Sequence, residues 1–341
     1  MITLSQHAES LHTPQAPARF SDVLLIVNPG SRAGGRLLPD VLRALGSARV
    51  RVAETASPRH ATAIVRDALA ADSATFDAVL ALGGDGTAME VATALAEFPD
   101  APPLGIIALG TANVLARTLG IPMSPARAIA ALREADSVAI DLGVIEGGPA
   151  FAIGLGIGLD ATMIAQVSTR LKRRIGYLAY ALSALGAGLR LDRFAATITV
   201  DGVVHRVNTS SILVANFGTV LGDLACFGED IGPQDGALDV CVYSPPTHAH
   251  AIRILWRMLR GGMRSDRNVQ VFRGRDIRIE TDHPRQIQAD GELIGDTPVS
   301  LRVLPGAVRV LVPRVSPRRW RVPRLPQARV ATQLTKTGSW T

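Results

Sequence analysis

The chain has 341 residues, of which 47% are hydrophobic and 19% are charged, and this balance excludes large-scale disorder. Its two cysteines cannot form a disulfide framework, and neither belongs to a CxxC pair, so the sequence also disfavours a structural zinc site. The formal net charge of +6 comes from residues 314–341, which hold seven basic and no acidic side chains. The length suggests two domains of ordinary size.

The two ends of the chain differ in composition from the region between them. Residues 1–19 are polar and lack the apolar core of a signal peptide, and the longest uncharged apolar stretch, 175–189, is too short to cross a bilayer. We therefore expect a cytoplasmic protein. The basic tail is consistent with a solvated flexible end or with contact to an anionic membrane. No RNP-type aromatic pattern or zinc finger is present, so we expect no nucleic-acid partner.

Between residues 20 and 140 the sequence alternates short apolar runs with helical patterns. The predicted strands are 22–27, 50–54, 78–82 and 104–109, and the predicted helices are 34–45, 58–71 and two further segments that end at 97 and 119. Continuously apolar strands are typical of sheets that are covered on both faces. Strand, glycine turn and helix, repeated four times, predict a Rossmann-like, doubly wound parallel sheet that binds ligands at the carboxyl ends of its strands.

From residue 141 the pattern changes to strands that alternate apolar and polar residues. The predicted strands are 141–145, 150–155, 195–200, 211–215, 237–243, 276–281 and 299–304, and the predicted helices are 157–189 and about 248–263. We interpret this half as a β-sandwich whose last strand can return to the first domain. The predicted organisation is a flexible segment 1–19, an α/β nucleotide-binding domain 20–140, a β-sandwich domain 141–313 and a flexible basic tail 314–341.

The strongest local motif is Gly83-Gly84-Asp85-Gly86-Thr87, which directly follows a predicted buried strand. Glycines allow the backbone to approach a ligand closely, and the following helix offers free amides to a phosphate. Asp85 at this point is expected to meet a magnesium ion or a hydroxyl, because a second anion would be repelled. The alternative is a tight turn in which Asp85 only caps the helix.

Two more polar turns follow equivalent strands of the predicted sheet. They are Asn28-Pro29-Gly30-Ser31 and Gly110-Thr111-Ala112-Asn113. Either turn alone is most simply a helix cap, but three turns at one edge of a sheet favour a nucleotide pocket. The sequence lacks a GxxxxGK[ST] motif and the HRD and DFG motifs, which excludes a P-loop NTPase and a protein kinase.

Five motifs in order resemble the diacylglycerol kinase/sphingosine kinase catalytic family, particularly its soluble bacterial lipid kinases. The motifs are NPGSRAGG, LALGGDGTAMEVATAL, PLGIIALGTANVLARTLGIP, DGALDV and Asp290-Gly291-Glu292, and the resemblance covers residues 23–313. It implies an α/β nucleotide domain, a β-sandwich domain, an ATP site in the cleft between them, and phosphorylation of a lipid hydroxyl with Mg²⁺. An NAD-kinase-like enzyme with a soluble substrate and a nucleotide-binding lipid sensor without turnover are the alternatives.

The resemblance assigns roles to residues that match the family's motifs. Glu292 matches the proposed general base, and Asp85 lies near the catalytic magnesium. A carboxylate that follows an Asp-Gly turn can accept the proton of a substrate hydroxyl, as phosphoryl transfer requires, although such a turn is otherwise an ordinary exposed hairpin. The expected nucleotide-binding residues are Asn28, Pro29, Gly30, Ser31, Thr55, Gly83, Gly84, Asp85, Gly86, Thr87, Gly110, Thr111 and Asn113.

The family also holds a structural magnesium ion, and the matching ligands here are the Asp235 carboxylate and the carbonyls of Gly232 and Ala237. The alternative is a plain Asp-Gly hairpin, since one carboxylate makes a weak site for a hard cation. One departure concerns the catalytic metal. Several family members have Asn-Asp where this chain has Asn113-Val114, which removes one carboxylate from the cleft.

The sequence does not identify the acceptor lipid. Diacylglycerol is the first choice because soluble bacterial relatives commonly act on glycerolipids, and a sphingoid base or ceramide comes next. Residues 170–174, the apolar segment 175–189 and the helix at 248–263 are candidates for contact with lipid, or else pack as ordinary surface elements. We expect peripheral association with an anionic membrane, and a homodimer is left open.

Overall fold

The computed structural model describes residues 20–31, 34–71, 75–110, 112–158, 192–220, 225–228, 230–259 and 266–314. The described elements of the first half are β1 (Asp22–Val27), α1 (Gly34–Leu45), β2 (Arg49–Glu54), α2 (His60–Ala70), β3 (Ala78–Gly83), α3 (Asp85–Leu95), β4 (Leu104–Ala108), α4 (Val114–Thr118), α5 (Pro125–Arg133) and β5 (Asp136–Ile145).

Most of the elements that follow are strands. They are β6 (Ala150–Phe151), β7 (Gly154–Gly158), β8 (Phe194–Val200), β9 (Val203–Thr209), β10 (Ser211–Ala215), β11 (Thr219–Val220), β12 (Ala225–Cys226), β13 (Leu238–Tyr243), α6 (His248–Leu259), β14 (Val269–Gly274), β15 (Asp276–Thr281), β16 (Gln286–Ala289), β17 (Glu292–Asp296) and β18 (Val299–Val312).

The first four strands form the predicted parallel sheet, in the order β2-β1-β3-β4. Strands β3 and β4 are buried along their whole length because their side chains are continuously apolar. Helix α1 packs on α5, and α2 packs on α3, so that two helical layers cover the sheet. This confirms the Rossmann-like first domain, with the glycine turns at the carboxyl ends of the strands.

The last strand, β18, joins the parallel sheet to the second half of the chain. It pairs in parallel with β4 at Val310 and Leu104, and antiparallel with β5 and β15. The sheet continues through β15, β8 and β9, which gives one mixed sheet of ten strands. The predicted return of the last strand to the first domain is therefore confirmed. The sheet does not stop at the domain boundary, and residue 141 lies inside β5.

A second sheet, in the order β14-β13-β10-β7-β16-β17, packs on the far part of the first. The apolar faces of the two sheets share one buried core, whose largest side chains are Phe151 and Phe194. This confirms the β-sandwich. The hairpin β11–β12 stands apart as a two-stranded sheet.

The structure corrects two boundaries in this half. Ile157 and Gly158 belong to strand β7, which pairs with β10 and β16, and not to a helix. Glycines alternate with apolar residues here, and glycine disfavours a helix. The rest of the predicted helix, 159–189, lies outside the described residues. The strand predicted at 150–155 is interrupted at residues 152–153, because the amides there turn to bind a carboxylate.

In the part of the chain that the structure describes, no helix has both the length and the hydropathy needed to cross a bilayer.

Candidate active site

The first and third strand ends are joined by a side-chain hydrogen bond. The Asn28 amide nitrogen (Nδ2) donates to Thr87 Oγ1 at 3.1 Å, and the backbone amide of Asn28 donates to the carbonyl of Leu82 at 3.0 Å. Ser31 Oγ closes its own turn by donating to the carbonyl of Asn28 at 2.7 Å. Pro29 and Gly30 lie exposed in this turn. The first turn is therefore fixed beside the GGDGT loop.

Close packing requires glycine at Gly83, the last residue of β3. A Cβ atom added at Gly83 would lie 2.6 Å from Thr87 Oγ1, where no side chain fits. Gly84 precedes the first residue of α3 in an extended conformation, and its carbonyl accepts the amide of Ala88. The amides of the first turn of α3 remain available at the sheet edge, where they favour an anionic group.

The turn after β4 packs against the GGDGT loop. A Cβ atom added at Gly110 would lie 3.0 Å from Gly84 Cα and 2.6 Å from Asn113 Oδ1. Asn113 has φ 49°, and its Nδ2 donates to the carbonyl of Gly110 at 2.7 Å. Among the described residues its Oδ1 is buried without a hydrogen-bond partner, so it can accept a hydrogen bond from a ligand. Thr111 lies outside the described residues.

Asp85 lies between the N-termini of two helices. It is the first residue of α3, and its Oδ1 accepts the amide of Leu115 in α4 at 3.1 Å. Burial raises the pKa of the Asp85 carboxyl above its usual range, and the amides at the start of α4 and the charge of Arg117 oppose that effect. A bound cation would offset the cost of keeping this carboxylate charged.

Asp290 lies beside Asp85 and is held by three backbone amides. Its Oδ2 accepts from Ala152 at 2.7 Å, and its Oδ1 accepts from Ile153 at 2.9 Å and Gly154 at 3.0 Å. Burial is the largest effect on the pKa of Asp290 and raises it, the three amides oppose that effect, and the charge of Asp85 adds to it, so that the pKa is about 6. Two carboxylates with raised pKa values in one cleft are typical of a catalytic site.

The turn at Asp290 places Glu292 next to the GGDGT loop. Asp290 and Gly291 both have positive φ angles, 47° and 91°, and the Gly291 amide donates to Gln288 Oε1 at 2.9 Å. A Cβ atom added at Gly86 would lie 3.1 Å from Glu292 Oε1, so the carboxylate contacts the start of α3. Glu292 itself is exposed and open to a ligand from solvent. The structure therefore places the Glu292 carboxylate at Gly86, the residue after Asp85.

The other predicted nucleotide-binding residue, Thr55, lies at the end of β2, one strand further from the centre. Its amide donates to the carbonyl of Val27 at 2.9 Å, and its side chain is half-buried. It shares the edge of the sheet with the three turns, at the side of Asn28.

At the predicted structural magnesium site, Asp235 contacts backbone amides and an arginine. The Asp235 carboxylate accepts the amides of Gly232 at 3.3 Å and Ala237 at 3.0 Å, and it forms an ion pair with Arg273. A guanidinium already supplies positive charge to this carboxylate, so the donor set does not fit a second cation in this arrangement. The described residues contain no cluster of three or more His, Cys, Asp or Glu side chains placed to hold a metal. The magnesium at Asp235 stays a prediction.

Sequence reasoning missed the roles of two residues in this cleft. Asp290 was named only as part of a tripeptide, yet it fixes the turn that carries Glu292. Arg117 lowers the pKa of Asp85 by its charge, and its Nε donates to the carbonyl of Ala112 at 3.1 Å. Arg117 comes four residues after Asn113 at the start of a helix, and residues at this spacing lie on the same face. This spacing could have indicated that Arg117 lies near the turn after β4.

Comparisons with known proteins agree with this geometry. A model of the diacylglycerol kinase catalytic domain matches residues 22–145, and a model of the YegS C-terminal NAD kinase β-sandwich-like domain matches residues 154–312. A probable lipid kinase, YegS-like, of Pseudomonas aeruginosa (strain UCBPP-PA14) is 32% identical over 305 residues, which are 87% of this chain and 96% of that protein.

Two further relatives carry the name of a diacylglycerol kinase. The diacylglycerol kinase of Bacillus subtilis (strain 168) is 30% identical over 265 residues, which are 75% of this chain and 85% of that protein. The crystal structure of a candidate diacylglycerol kinase from Bacillus anthracis str. Sterne is similar with a TM-score of 0.71 at 26% identity, covering 88% of this chain and 99% of that chain. The chain therefore belongs to the diacylglycerol kinase family of lipid kinases, whose phosphoryl donor is ATP.

Proposed function

We propose that the protein transfers the γ-phosphoryl group of ATP to a hydroxyl group of a membrane lipid, with diacylglycerol as the first acceptor to test. The observation that carries the proposal is the contact of Glu292 with Gly86 beside Asp85, because it places a solvent-accessible carboxylate at the loop expected to hold the phosphates. The names of the Bacillus relatives support the choice of acceptor.

The nucleotide is proposed to bind across the three turns. The amides at the start of α3 favour the phosphates, and the unpaired Oδ1 of Asn113 accepts a hydrogen bond from the nucleotide. Gly84 and Gly110 lie in backbone contact, so that no side chain blocks this edge of the sheet. The expected nucleotide-binding residues at the Asn28 turn and Thr55 extend the site along the same edge.

Glu292 is proposed to act as the general base. Its carboxylate takes the proton of the acceptor hydroxyl while that oxygen bonds to the γ-phosphorus, and the bond from the γ-phosphorus to the ADP oxygen breaks. The products are a lipid phosphate monoester and ADP, and the proton passes from Glu292 to solvent, to which the side chain is exposed. Asp290 holds the turn that positions this base.

Asp85 is the residue that would hold a magnesium ion bound with ATP. Burial raises the pKa of its carboxyl, and a cation at this position would offset the cost of the buried charge, which supports the assignment. Such an ion supplies positive charge to the transferring phosphoryl group. Asp290 is less suited to bind it, because three amides already donate to its oxygens.

A lipid panel tests the proposal. The full chain is incubated with radiolabelled ATP, Mg²⁺ and mixed micelles that contain diacylglycerol, monoacylglycerol, a sphingoid base or ceramide, and in a parallel reaction with NAD. We expect label in a phosphorylated lipid, with diacylglycerol as the best acceptor. Label in the NAD reaction alone would indicate a soluble-substrate kinase, and no transfer to any acceptor would indicate a lipid sensor without turnover.

The protein is further proposed to work as a peripheral protein of the cytoplasmic membrane surface. The basic residues of the tail, which lie outside the described residues, favour anionic lipid, and each contributes on the order of 1 kcal/mol near such a surface. Binding to anionic vesicles is expected to weaken with added salt and on deletion after Pro313. Equal binding of the full and shortened chains would show that the tail is only a solvated end.

A further inference from the structure

Helix α6 presents two large apolar side chains to solvent. Ile252 is 59% exposed and Trp256 is 56% exposed, and residues four apart lie side by side on one face of a helix. Ala249, one turn before Ile252, is exposed on the same face. An isolated exposed apolar residue needs no explanation, but two adjacent ones of this size form a patch.

Helix α6 is held to the rest of the fold by residues on its other faces. Ile254 is 7% exposed and packs in a small core with Val269. Arg253 makes two hydrogen bonds to the Asp266 carboxylate, at 2.8 and 3.0 Å, and Arg257 approaches the same group at 3.7 Å. Ile252 and Trp256 keep more than half of their surface exposed while these contacts are made.

The charges around the patch are positive. Helix α6 contains no acidic residue, and the one acidic group that pairs with its arginines, Asp266, is almost fully buried. The side chains of Arg253 and Arg257 remain 38% and 40% exposed, and Arg267 is also exposed. Exposed apolar side chains flanked by partly exposed arginines are typical of a helix that lies in the interface of an anionic bilayer.

The position of α6 connects it to the proposed active site. Helix α6 contacts strand β12, and the paired strand β11 contacts helix α4. The first turn of α4 donates to Asp85. One two-stranded hairpin thus connects the exposed helix to the helix whose first turn binds Asp85.

We propose that α6 docks the protein on the membrane, with Ile252 and Trp256 inserted among the headgroups and the nearby arginines facing anionic lipid. The proposal rests on the proposed function, since an enzyme that acts on a lipid retained in the bilayer has to reach the bilayer surface. It assigns membrane contact to a specific described surface, in addition to the basic tail.

The test compares two double variants of the full chain. Ile252→Ser with Trp256→Ser removes the patch, and Val203→Ser with Val204→Ser removes an equally exposed apolar pair, 59% and 55% exposed, at the β8–β9 hairpin. Sedimentation is measured with vesicles of equal parts phosphatidylcholine and phosphatidylglycerol, and with pure phosphatidylcholine. We expect the α6 variant to lose about tenfold or more in affinity for the anionic vesicles, and the hairpin variant to match wild type.

A second measurement reports insertion directly. In a chain with Trp320→Phe and Trp340→Phe, Trp256 is the remaining tryptophan, and its emission should shift to shorter wavelength on addition of anionic vesicles. An unshifted spectrum together with unchanged sedimentation of the α6 variant would overturn the proposal. If the α6 variant instead converts a wild-type dimer to a monomer and binds vesicles normally, the patch is a protein interface and the proposal is also wrong.

Activity separates this inference from the proposed function. The α6 variant should lose activity on diacylglycerol embedded in anionic vesicles and keep wild-type activity on a short-chain, water-soluble diacylglycerol. Equal loss on both acceptors would overturn the docking role. Inactivity of the wild-type protein on both would overturn the proposed function, while the sedimentation result would still decide whether α6 binds membranes.

Discussion

Glu292 lies directly against Gly86, so that a Cβ atom added at residue 86 would come within 3.1 Å of Glu292 Oε1. The two residues belong to different parts of the sequence, Gly86 to the first turn of α3 and Glu292 to the first residue of β17. The contact joins the α/β domain to the sandwich at the point where the proposed chemistry occurs, and it makes residue 86 a sensitive test of that chemistry.

Gly86→Ala should reduce turnover without reducing stability. The φ angle at Gly86 is not in the left-handed region, and alanine is favoured over glycine in a helix, so the free energy of unfolding should stay the same or rise by up to about 1 kcal/mol. The added methyl displaces the Glu292 carboxylate by a few tenths of an ångström, and we expect kcat to fall about tenfold.

The matched control is Gly35→Ala. Gly35 is also the second residue of its helix, and a Cβ atom there would meet nothing within 4 Å. It should raise or preserve stability and leave kcat unchanged. Steady-state kinetics and denaturant unfolding of both variants decide the matter, and wild-type kcat in Gly86→Ala would contradict the placement of Glu292.

Glu292→Gln should remove most of the turnover, because the amide cannot accept the proton of the acceptor hydroxyl. Loss of a general base typically costs 10²–10⁴-fold in rate. Nucleotide affinity, measured by calorimetry, should be nearly unchanged. Glu280→Gln is the control, since Glu280 is exposed on β15 and pairs only with Arg278 in the described contacts. Turnover at the wild-type rate in Glu292→Gln would show that another group takes the proton.

Asp290→Asn should change how stability depends on pH. The pKa of Asp290 is raised from 3.8 to about 6 in the folded protein, so the folded state binds this proton more tightly than the unfolded state does. This carboxyl therefore adds stability below about pH 4, and that stability is lost as the pH rises to about 6, by about 3 kcal/mol in total. Asparagine does not titrate, and it tolerates the positive φ at this position.

The measurement is urea unfolding of wild type and Asp290→Asn from pH 4 to pH 7. The difference between the two free energies of unfolding should move by about 3 kcal/mol in favour of the variant as the pH rises. A pH-independent offset from the altered hydrogen bonds is expected in addition. If the free energies of unfolding of the two proteins change in parallel with pH, Asp290 does not titrate in this range.

Asp85→Asn should abolish activity while preserving the fold. Burial raises the pKa of Asp85, so its charge destabilises the folded state at neutral pH, and the asparagine oxygen can still accept the Leu115 amide. We expect a fall in kcat of at least about 10² and an equal or slightly higher stability at pH 7. Asp77→Ala is the contrasting variant: it loses the acceptor of the Ser21 and Asp22 amides, so stability should fall and kcat should not.

Much of the fold could be predicted because several of its strands are continuously apolar. β1 and β10 were predicted to the residue, since continuous apolar runs bounded by turn residues leave little choice of element. The strands that were missed include β9, β14 and β17, which carry several polar side chains and are partly or largely exposed, and the short strands β11, β12 and β16. Pairing with neighbours, which local sequence does not report, is what makes these segments strands.

The part of the candidate site that follows from the topology of the parallel sheet could be predicted from the sequence. Parallel strands bring their carboxyl ends together, so the three glycine turns had to converge. The role of Asp290 depends instead on the amides of Ala152, Ile153 and Gly154, more than 130 residues earlier in the chain. No local pattern specifies such a contact, and only the packing of β16 on β7 creates it.

The pairing of β18 with β4 has a consequence for synthesis of the protein. The parallel sheet is made from residues 22–108, but its open edge is covered only by residues near 310, at the end of the described chain. During translation, one edge of β4 therefore stays without its partner β18 until nearly the whole described chain has been synthesised. An unpaired apolar strand is a site for pairing with other chains, so premature termination should yield aggregates rather than a folded first domain.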